Sequence, residues 1–228
     1  MARIEMVKTL RSVVVTGIGL VSPVGIGTEQ TWLAIQNGVS GIAPITLFPT
    51  DDFSCRFAGE VKDFSPEEFV ERKDAKKTGR FIHLAMAAAQ FAMEEARLRI
   101  TEKNAGHVGV CIGSGIGAFE VIEREHTKLM TQGPSRVSPF FITASIVNLA
   151  AGGQVSIRYG AKGPNLTCAT ACTTGAHGIG EAFRIIQRGD ADAMICGGMS
   201  VDRQSCLFPY EQFWEQRAEG LLPSIYLR

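Results

Sequence analysis

The amino-acid sequence predicts an α/β domain whose sheet is mainly parallel and is covered by helices on both faces. Short apolar runs, rich in β-branched residues and bounded by glycines, alternate along the chain with longer runs of helical periodicity. Hydrophobic residues make up 45% of the 228 residues, which is ample for a buried core. We therefore expect most of the chain to fold around one buried sheet.

Four segments have the composition of buried strands, and they cover residues 12–17, 108–113, 165–170 and 191–196. Cys111, Cys168 and Cys196 lie inside three of these segments. A thiol in such a place usually behaves as a small hydrophobic side chain. We expect these cysteines to be buried and structural.

Helical patterns separate the predicted strands. The predicted helices cover residues 29–37, 78–98, about 143–151 and 173–188. The clearest is 78–98, where residues such as Leu84 and Ala88 form an apolar stripe with i, i+3, i+4 spacing. Segment 39–66 contains several prolines and is interpreted as loops with small strands, and segment 114–139 is interpreted as a loop.

The charge balance gives no reason to expect nucleic acid or a membrane surface as a partner, since Lys plus Arg and Asp plus Glu each total 23. No apolar stretch reaches the roughly 18 to 20 residues that span a bilayer. The N-terminus lacks the apolar core of a signal peptide. The six cysteines show no CxxC spacing, which favours a reducing, cytoplasmic location and indicates neither a metal site nor a cofactor.

Residues 113–118 fit the dinucleotide-binding fingerprint G-x-G-x-x-G/A and follow a predicted strand. That fingerprint also requires a helix directly afterwards and a second strand that ends in an acidic residue about 20 positions further on. The segment up to Pro139 shows no β-branched run that would form this strand. Nucleotide binding is therefore not the favoured interpretation.

Cys172 differs from the other cysteines because it stands between a predicted strand and a predicted helix, in the sequence ATACTTG at 169–175. The unpaired N–H groups of a first helical turn favour thiolate over thiol. Gly175 and Gly178 remove side chains from the first turns, as a tight strand-to-helix elbow and a close-packed helix require. Two interpretations stay open, a nucleophile and a buried helix-start residue of the same kind as Cys168.

A cysteine nucleophile normally works with a histidine. The histidines are His83, His107, His126 and His177. His177 follows Cys172 by five positions, which is about 500° of helical rotation, so the two side chains stand about 140° apart around the axis. We expect His177 to be a polar helix residue with a local contact.

Several motifs stand in a distinctive order along the chain. They are VVVTGIG at 13–19, SPVG at 22–25, GSGIG at 113–117, SPFF at 138–141, GPN at 163–165, the Cys172 elbow, and the segment 189–198. Over about residues 11–198 the chain resembles the N-terminal half of a β-ketoacyl-[acyl-carrier-protein] synthase, of the elongating type found in bacterial fatty acid synthesis. The resemblance implies a thiolase-like fold with layered α-β-α organisation, of which this chain supplies the first of two halves related by a pseudo-twofold axis.

The resemblance also implies a reaction. In this family the cysteine takes an acyl group from acyl carrier protein as a thioester, and two histidines of the C-terminal half assist decarboxylation of malonyl carrier protein. The resulting carbanion attacks the acyl-cysteine and gives 3-oxoacyl carrier protein and carbon dioxide. Cys172 would be the acyl-accepting nucleophile of this acyltransferase, and its backbone N–H would form half of the oxyanion hole.

Further roles are implied for apolar and basic residues. Ile116 corresponds to the residue that gates the acyl pocket, and Phe141 to one that reaches across a homodimer into the partner subunit's pocket. The basic residues placed where the family meets the acidic carrier protein are Arg72, Lys73, Lys76, Lys77 and Arg136. From charge alone a solvated surface is the default interpretation of the cluster at 72–77, and a site for an acidic partner is the alternative.

The resemblance divides the chain into a leader at 1–10, the N-terminal half of a ketoacyl synthase domain at 11–198, and an atypical tail at 199–228 that lacks the resemblance and shows no clear periodicity. The family's two catalytic histidines, its active-site lysine and its second oxyanion donor belong to the other half. Two interpretations follow. The chain is either a 3-oxoacyl-carrier-protein synthase present in truncated form, or a non-catalytic half-domain that only dimerises or binds acyl carrier protein.

Overall fold

The computed structural model describes residues 11–140, 149–199 and 224–227. Its strands are β1 (Val15–Gly19), β2 (Val21–Ser22), β3 (Gly25–Ile26), β4 (Ile42–Pro44), β5 (Phe57–Gly59), β6 (Val108–Ser114), β7 (Asn165–Leu166), β8 (Ala193–Met199) and β9 (Ser224–Leu227). Its α-helices are α1 (Thr28–Gln36), α2 (Arg72–Ala75), α3 (Arg80–Ala96), α4 (Phe119–Gln132), α5 (Leu149–Tyr159) and α6 (Thr174–Arg188).

A five-stranded sheet in the order β1-β9-β8-β6-β7 forms the centre of the domain. Strand β6 pairs in parallel with both β8 and β7, whereas β9 is antiparallel to both of its neighbours, β1 and β8. Four of the five strands therefore run in the same direction. This arrangement confirms the prediction of a mainly parallel sheet in an α/β fold.

Each face of the sheet carries its own core. Val110, Ile112 and Ile195 pack with the buried residues of α3 and α5. Cys111 and Cys196 occupy alternate positions on the same strands and pack with the buried residues of α6. Because successive side chains of a strand point to opposite faces, α3 and α5 cover one face and α6 covers the other. The three layers are those expected from the sequence.

The segment interpreted as a loop contains α4, so that expectation is wrong. Val121 and Glu125 are its buried residues. The helix therefore lacks the wide apolar stripe by which a sequence pattern reveals a helix. It ends at Gly133, whose φ of 85° favours glycine. Although α4 directly follows the glycine-rich loop, the next strand among the described residues is β7, so the dinucleotide-binding pattern is still incomplete.

Other differences concern short elements. The strand expected at 165–170 is limited to β7, and the strand expected at 12–17 begins later, at Val15. Strands β4 and β5 pair antiparallel within the segment predicted to hold small strands. In the segment 199–228, whose sequence shows no clear periodicity, β9 inserts between β1 and β8. A strand of four residues is too short for its periodicity to be recognised.

Within the described ranges, no helix is both long enough and apolar enough to cross a membrane. The same ranges contain no group of three or more His, Cys, Asp and Glu side chains placed to hold a metal ion.

Candidate active site

Cys172 lies in a 3-10 turn, Ala171–Thr173, that joins the segment after β7 to the first residue of α6. The residue before it, Ala171, has a φ of 49°. This left-handed conformation costs a non-glycine residue roughly 1 to 2 kcal/mol. An alanine at this position does not predict the conformation, because Gly, Asn and Asp are the residue types that usually mark it.

Threonine side chains hold this strained turn. Thr174, which is fully buried, accepts a hydrogen bond from the Thr170 N–H at 2.9 Å and donates one to the Ala171 carbonyl at 2.7 Å. The Thr173 hydroxyl donates to the Thr170 carbonyl at 2.8 Å. The backbone on both sides of Cys172 is thus fixed by side chains of the elbow itself.

Close backbone contacts place the elbow on the sheet. A Cβ added at Gly178 would lie 3.0 Å from the carbonyl oxygens of Cys111 and Gly197, and one added at Gly198 would lie 2.7 Å from the Cα atom of Gly175. The first turns of α6 therefore lie directly on β6 and β8. This confirms the expectation that Gly175 and Gly178 permit a tight elbow and a close-packed helix.

Exposure separates Cys172 from the other described cysteines. Cys172 is exposed, whereas Cys55, Cys111, Cys168 and Cys196 are buried and all five are free thiols. The burial expected for Cys111, Cys168 and Cys196 is thus confirmed. Burial is also the main reason that the pKa of Cys111 rises to about 12, and it raises the pKa of Cys196. Among the described cysteines, Cys172 is therefore the thiol that an incoming reagent can reach.

The backbone of the turn also offers a hydrogen-bond donor beside this thiol. The N–H groups of Thr170, Thr173 and Thr174 have acceptors within the elbow. No acceptor for the Cys172 N–H is found among the described residues. A nucleophilic sulfur and an available N–H on one residue are the two components needed to attack a carbonyl and to stabilise the oxyanion that forms.

The glycine-rich loop after β6 lies against the elbow. A Cβ added at Gly115 would stand 3.5 Å from the Cα atom of Ala171. The Gly117 N–H donates to the Ser114 hydroxyl at 3.0 Å, which closes the loop. Ile116 stands within this loop and is 52% exposed. The structure thus brings Ile116 to the same edge of the sheet as Cys172, whereas Phe141 lies outside the described residues.

The basic residues predicted to meet a carrier protein are all exposed. Arg72 and Lys73 belong to α2, Lys76 and Lys77 follow it directly, and Arg136 lies in a 3-10 turn after α4. Lys73 is paired with Glu71 at 2.8 Å, and this partner raises the pKa of Lys73. The Lys77 Nζ atom lies 4.9 Å from the ring centroid of Phe140. This contact connects the residues just after α2 to the segment that carries Arg136.

Two of the four histidines, His177 and His83, have close local partners. His177 Nδ1 lies 3.3 Å from the Thr170 hydroxyl, and its Nε2 lies 3.8 Å from a carboxylate oxygen of Glu181 one turn later in α6. This confirms the local role expected for it. His83 is buried against the Thr78 hydroxyl at 2.9 Å, and burial lowers its pKa.

Sequence reasoning missed Ala171, Thr174 and Glu125. Their roles depend on backbone conformation and on contacts across the fold rather than on a motif. Glu125 lies in the segment that the sequence predicts to be a loop, whereas the structure buries its carboxylate on α4.

The three-layer fold and the cysteine elbow place the chain in the class of thiolase-like ketosynthases. The ishigamide ketosynthase/chain length factor superposes with a TM-score of 0.78 at 26% identity, covering 96% of this chain and 58% of that one. A type II polyketide ketosynthase, solved in complex with its acyl-carrier protein and bound to a hexaketide, gives a TM-score of 0.77 at 23% identity. The match covers 96% of this chain and 63% of that one. The second likeness concerns the fold alone.

The chain belongs to the β-ketoacyl synthase family, because residues 10–209 match the N-terminal domain of that family. Relatives named 3-oxoacyl-[acyl-carrier-protein] synthase 2 are 51% identical in Vibrio harveyi and 49% identical in Synechocystis, each over 188 residues. Each alignment covers 82% of this chain and 45% of the relative. The chain thus spans less than half the length of the curated relatives it matches.

Proposed function

We propose that this chain carries the acyl-accepting half of a 3-oxoacyl-[acyl-carrier-protein] synthase of fatty acid biosynthesis. The observation that carries the proposal is the exposed Cys172 thiol on a strained elbow at the start of α6. The family membership and the relatives' names support the substrate class.

In the proposed step the Cys172 sulfur attacks the carbonyl carbon of an acyl group held as a thioester on the carrier protein. A new thioester forms on Cys172, the old carbon–sulfur bond breaks, and the proton lost by Cys172 ends on the departing carrier thiol. The Cys172 N–H would stabilise the oxyanion of the intermediate, and one such donor contributes roughly 3 kcal/mol to lowering a barrier. Neither a cofactor nor a metal takes part.

The other residues receive roles around this step. Ile116 would line the acyl pocket beside the elbow, and Phe141 would complete the pocket of the partner subunit in a homodimer. The exposed cations at 72–77 and Arg136 would bind the acidic carrier protein. We place the protein in the cytoplasm, since its six cysteines show no CxxC spacing and no pattern of a disulfide framework.

A second candidate is a half-domain that binds carrier protein without completing the condensation. The family reaction needs two histidines from the C-terminal half to decarboxylate the malonyl group. The described contacts of His83 and His177 occupy those side chains locally, which favours the half-domain as the second candidate.

Acyl transfer is tested by incubating the chain with acyl carrier protein that holds a labelled acyl thioester. We expect label on the Cys172 peptide and none in Cys172→Ser. Carrier-protein binding without transfer would support the half-domain. Label that persists in Cys172→Ser, or the absence of both label and binding, would contradict the proposed function.

A further inference from the structure

Glu125 is a carboxylate on α4 whose side chain is only 1% exposed. One of its oxygens accepts hydrogen bonds from Arg124 Nε at 3.1 Å and from Lys128 Nζ at 2.8 Å. The other accepts one from the Ser138 N–H at 2.7 Å. These bonds, with that from Lys128 the largest cause, lower the pKa of Glu125 to about 2. The buried carboxylate therefore joins its own helix to the segment that follows.

The chain reverses direction between Lys128, which donates to one oxygen of Glu125, and Ser138, which donates to the other. Helix α4 ends before Gly133, and a single 3-10 turn, Pro134–Arg136, follows. The Gly133 N–H donates to the Leu129 carbonyl at 3.2 Å at the start of this reversal, and the Ser138 N–H donates to Glu125 at its end. We call residues 133–138 the Arg136 loop. Glu125 fixes the end of the loop that the helix itself does not hold.

The Arg136 loop leads directly to the basic cluster. The Phe140 N–H donates to the Ser138 hydroxyl at 3.2 Å, and the Phe140 ring lies beneath the Lys77 ammonium. Arg136 and Phe140 are four positions apart along the chain, so their Cα atoms are at most about 14 Å apart. A hydrogen bond also joins the chain just after the basic cluster to α4. In it the Arg80 N–H, at the start of α3, donates to the Glu120 carboxylate at 3.1 Å.

We infer that Glu125 is a positioning residue for carrier-protein docking, whose carboxylate holds the Arg136 loop so that Arg136 and Lys77 face the same acidic partner. This inference rests on the proposed function, which supplies that partner. If the Ser138 bond were lost, Arg136 would sample more positions, and fixing it on binding would cost conformational entropy. The carboxylate also engages Arg124 and Lys128, which keeps these two cations on α4.

The test uses Glu125→Gln, with Glu123→Gln as its matched control, because Glu123 is exposed on the same helix. Glutamine keeps the size of the side chain but has one acceptor oxygen and an NH₂ donor. It therefore cannot accept from the two cations and from the Ser138 N–H at once. Each variant is combined with Arg136→Ala and, separately, with Lys76→Ala, and the Kd for acyl carrier protein is measured by titration.

In the unaltered chain we expect Arg136→Ala to raise the Kd about threefold, as for one exposed ion pair. Glu125→Gln alone should raise it by a similar factor, and Arg136→Ala should then have no further effect. Lys76→Ala should weaken binding equally in both backgrounds, and Glu123→Gln should leave the Kd unchanged. The inference is wrong if Arg136→Ala raises the Kd equally in the unaltered chain and in Glu125→Gln. It is also wrong if Glu125→Gln reduces the effects of Arg136→Ala and Lys76→Ala alike.

A second readout does not depend on the carrier protein. The Ser138 amide should exchange its hydrogen with solvent at least about tenfold faster in Glu125→Gln than in the unaltered chain or in Glu123→Gln, because it loses a charge-assisted bond. An unchanged exchange rate would overturn the inference. If the unaltered chain binds no carrier protein while the Ser138 effect is present, the proposed function fails for this chain, and the docking role of Glu125 fails with it.

Discussion

Cys172 is exposed at the start of α6, while Cys111 and Cys168 are buried nearby and Cys196 is buried in the neighbouring strand. At the scale of single residues, then, burial decides which thiol can react. The elbow also contributes to reactivity, because Thr174 and Thr173 hold the backbone that positions the sulfur and the N–H of Cys172. Access and backbone geometry, rather than a neighbouring histidine, distinguish Cys172 within the described structure.

Alkylation tests this difference in access. Brief treatment of the native chain with iodoacetamide should modify Cys172 far faster than Cys55, Cys111, Cys168 or Cys196, because these four are buried. Peptide mass spectrometry gives the extent at each site. After denaturation in urea all of them should react alike, which serves as the control. Comparable labelling of Cys111 and Cys172 in the native chain would contradict the described elbow.

Two threonines of the elbow form a matched pair. Thr174→Val keeps the side-chain shape but removes both hydrogen bonds of a buried hydroxyl, and it leaves the Thr170 N–H without its acceptor. We expect it to lower the free energy of unfolding by about 2 kcal/mol. Thr173→Val removes one bond of an exposed hydroxyl and should cost less than about 1 kcal/mol. Urea unfolding measures both, and equal effects would show that Thr174 does not hold the turn.

At the scale of secondary structure, α6 and α4 differ in how well the sequence predicts them. Helix α6 was predicted almost to the residue, because its apolar positions and its glycines show the face that packs on the sheet. Helix α4 was missed, because its stabilising contacts are those of a buried carboxylate rather than of an apolar stripe. Tertiary hydrogen bonds of this kind leave no periodic pattern in a sequence.

The contact of α6 with the sheet is tested by two glycines of the same helix. A Cβ at Gly178 would meet two backbone carbonyls at 3.0 Å, whereas one at Gly180 has no neighbour within 4 Å among the described residues. Gly178→Ala should therefore destabilise the domain by roughly 1 to 3 kcal/mol through overpacking. Gly180→Ala should stabilise it by about 0.5 to 1 kcal/mol, because alanine favours the helix. If thermal unfolding shows that both substitutions change the stability in the same direction, this packing is contradicted.

The Glu125 contact predicts a dependence of stability on acid. Its pKa is lowered from 4.5 to about 2 in the folded chain. The stability that this group contributes is therefore complete above a pH of about 4.5 and declines as the pH falls towards about 2. The difference in free energy of unfolding between the unaltered chain and Glu125→Gln should shrink over that window. Urea unfolding at a series of pH values checks this, and a difference that stays constant throughout would contradict it.

At the scale of the whole molecule, the sequence predicted the three-layer plan because alternating apolar strands and helices leave few other arrangements. It did not predict β9, whose four residues are placed by pairing with β1 and β8 rather than by their own pattern. The candidate site was predicted in its chemistry, through Cys172 and its place before a helix. Its geometry was not, since neither the φ of Ala171 nor the bonds of Thr174 follow from residue type alone.

We expect residues 1–228 to supply a competent acyl acceptor at Cys172, without the histidines of the other half. The most direct measurement is a two-stage assay, in which the chain first receives an acyl group from acyl carrier protein and is then mixed with malonyl carrier protein. Intact-mass spectrometry should show one acyl group per chain, absent in Cys172→Ser, and the second stage should release no carbon dioxide. An acyl group on another residue, or no adduct where a full-length relative is labelled, would show that Cys172 of this chain is not a competent acyl acceptor.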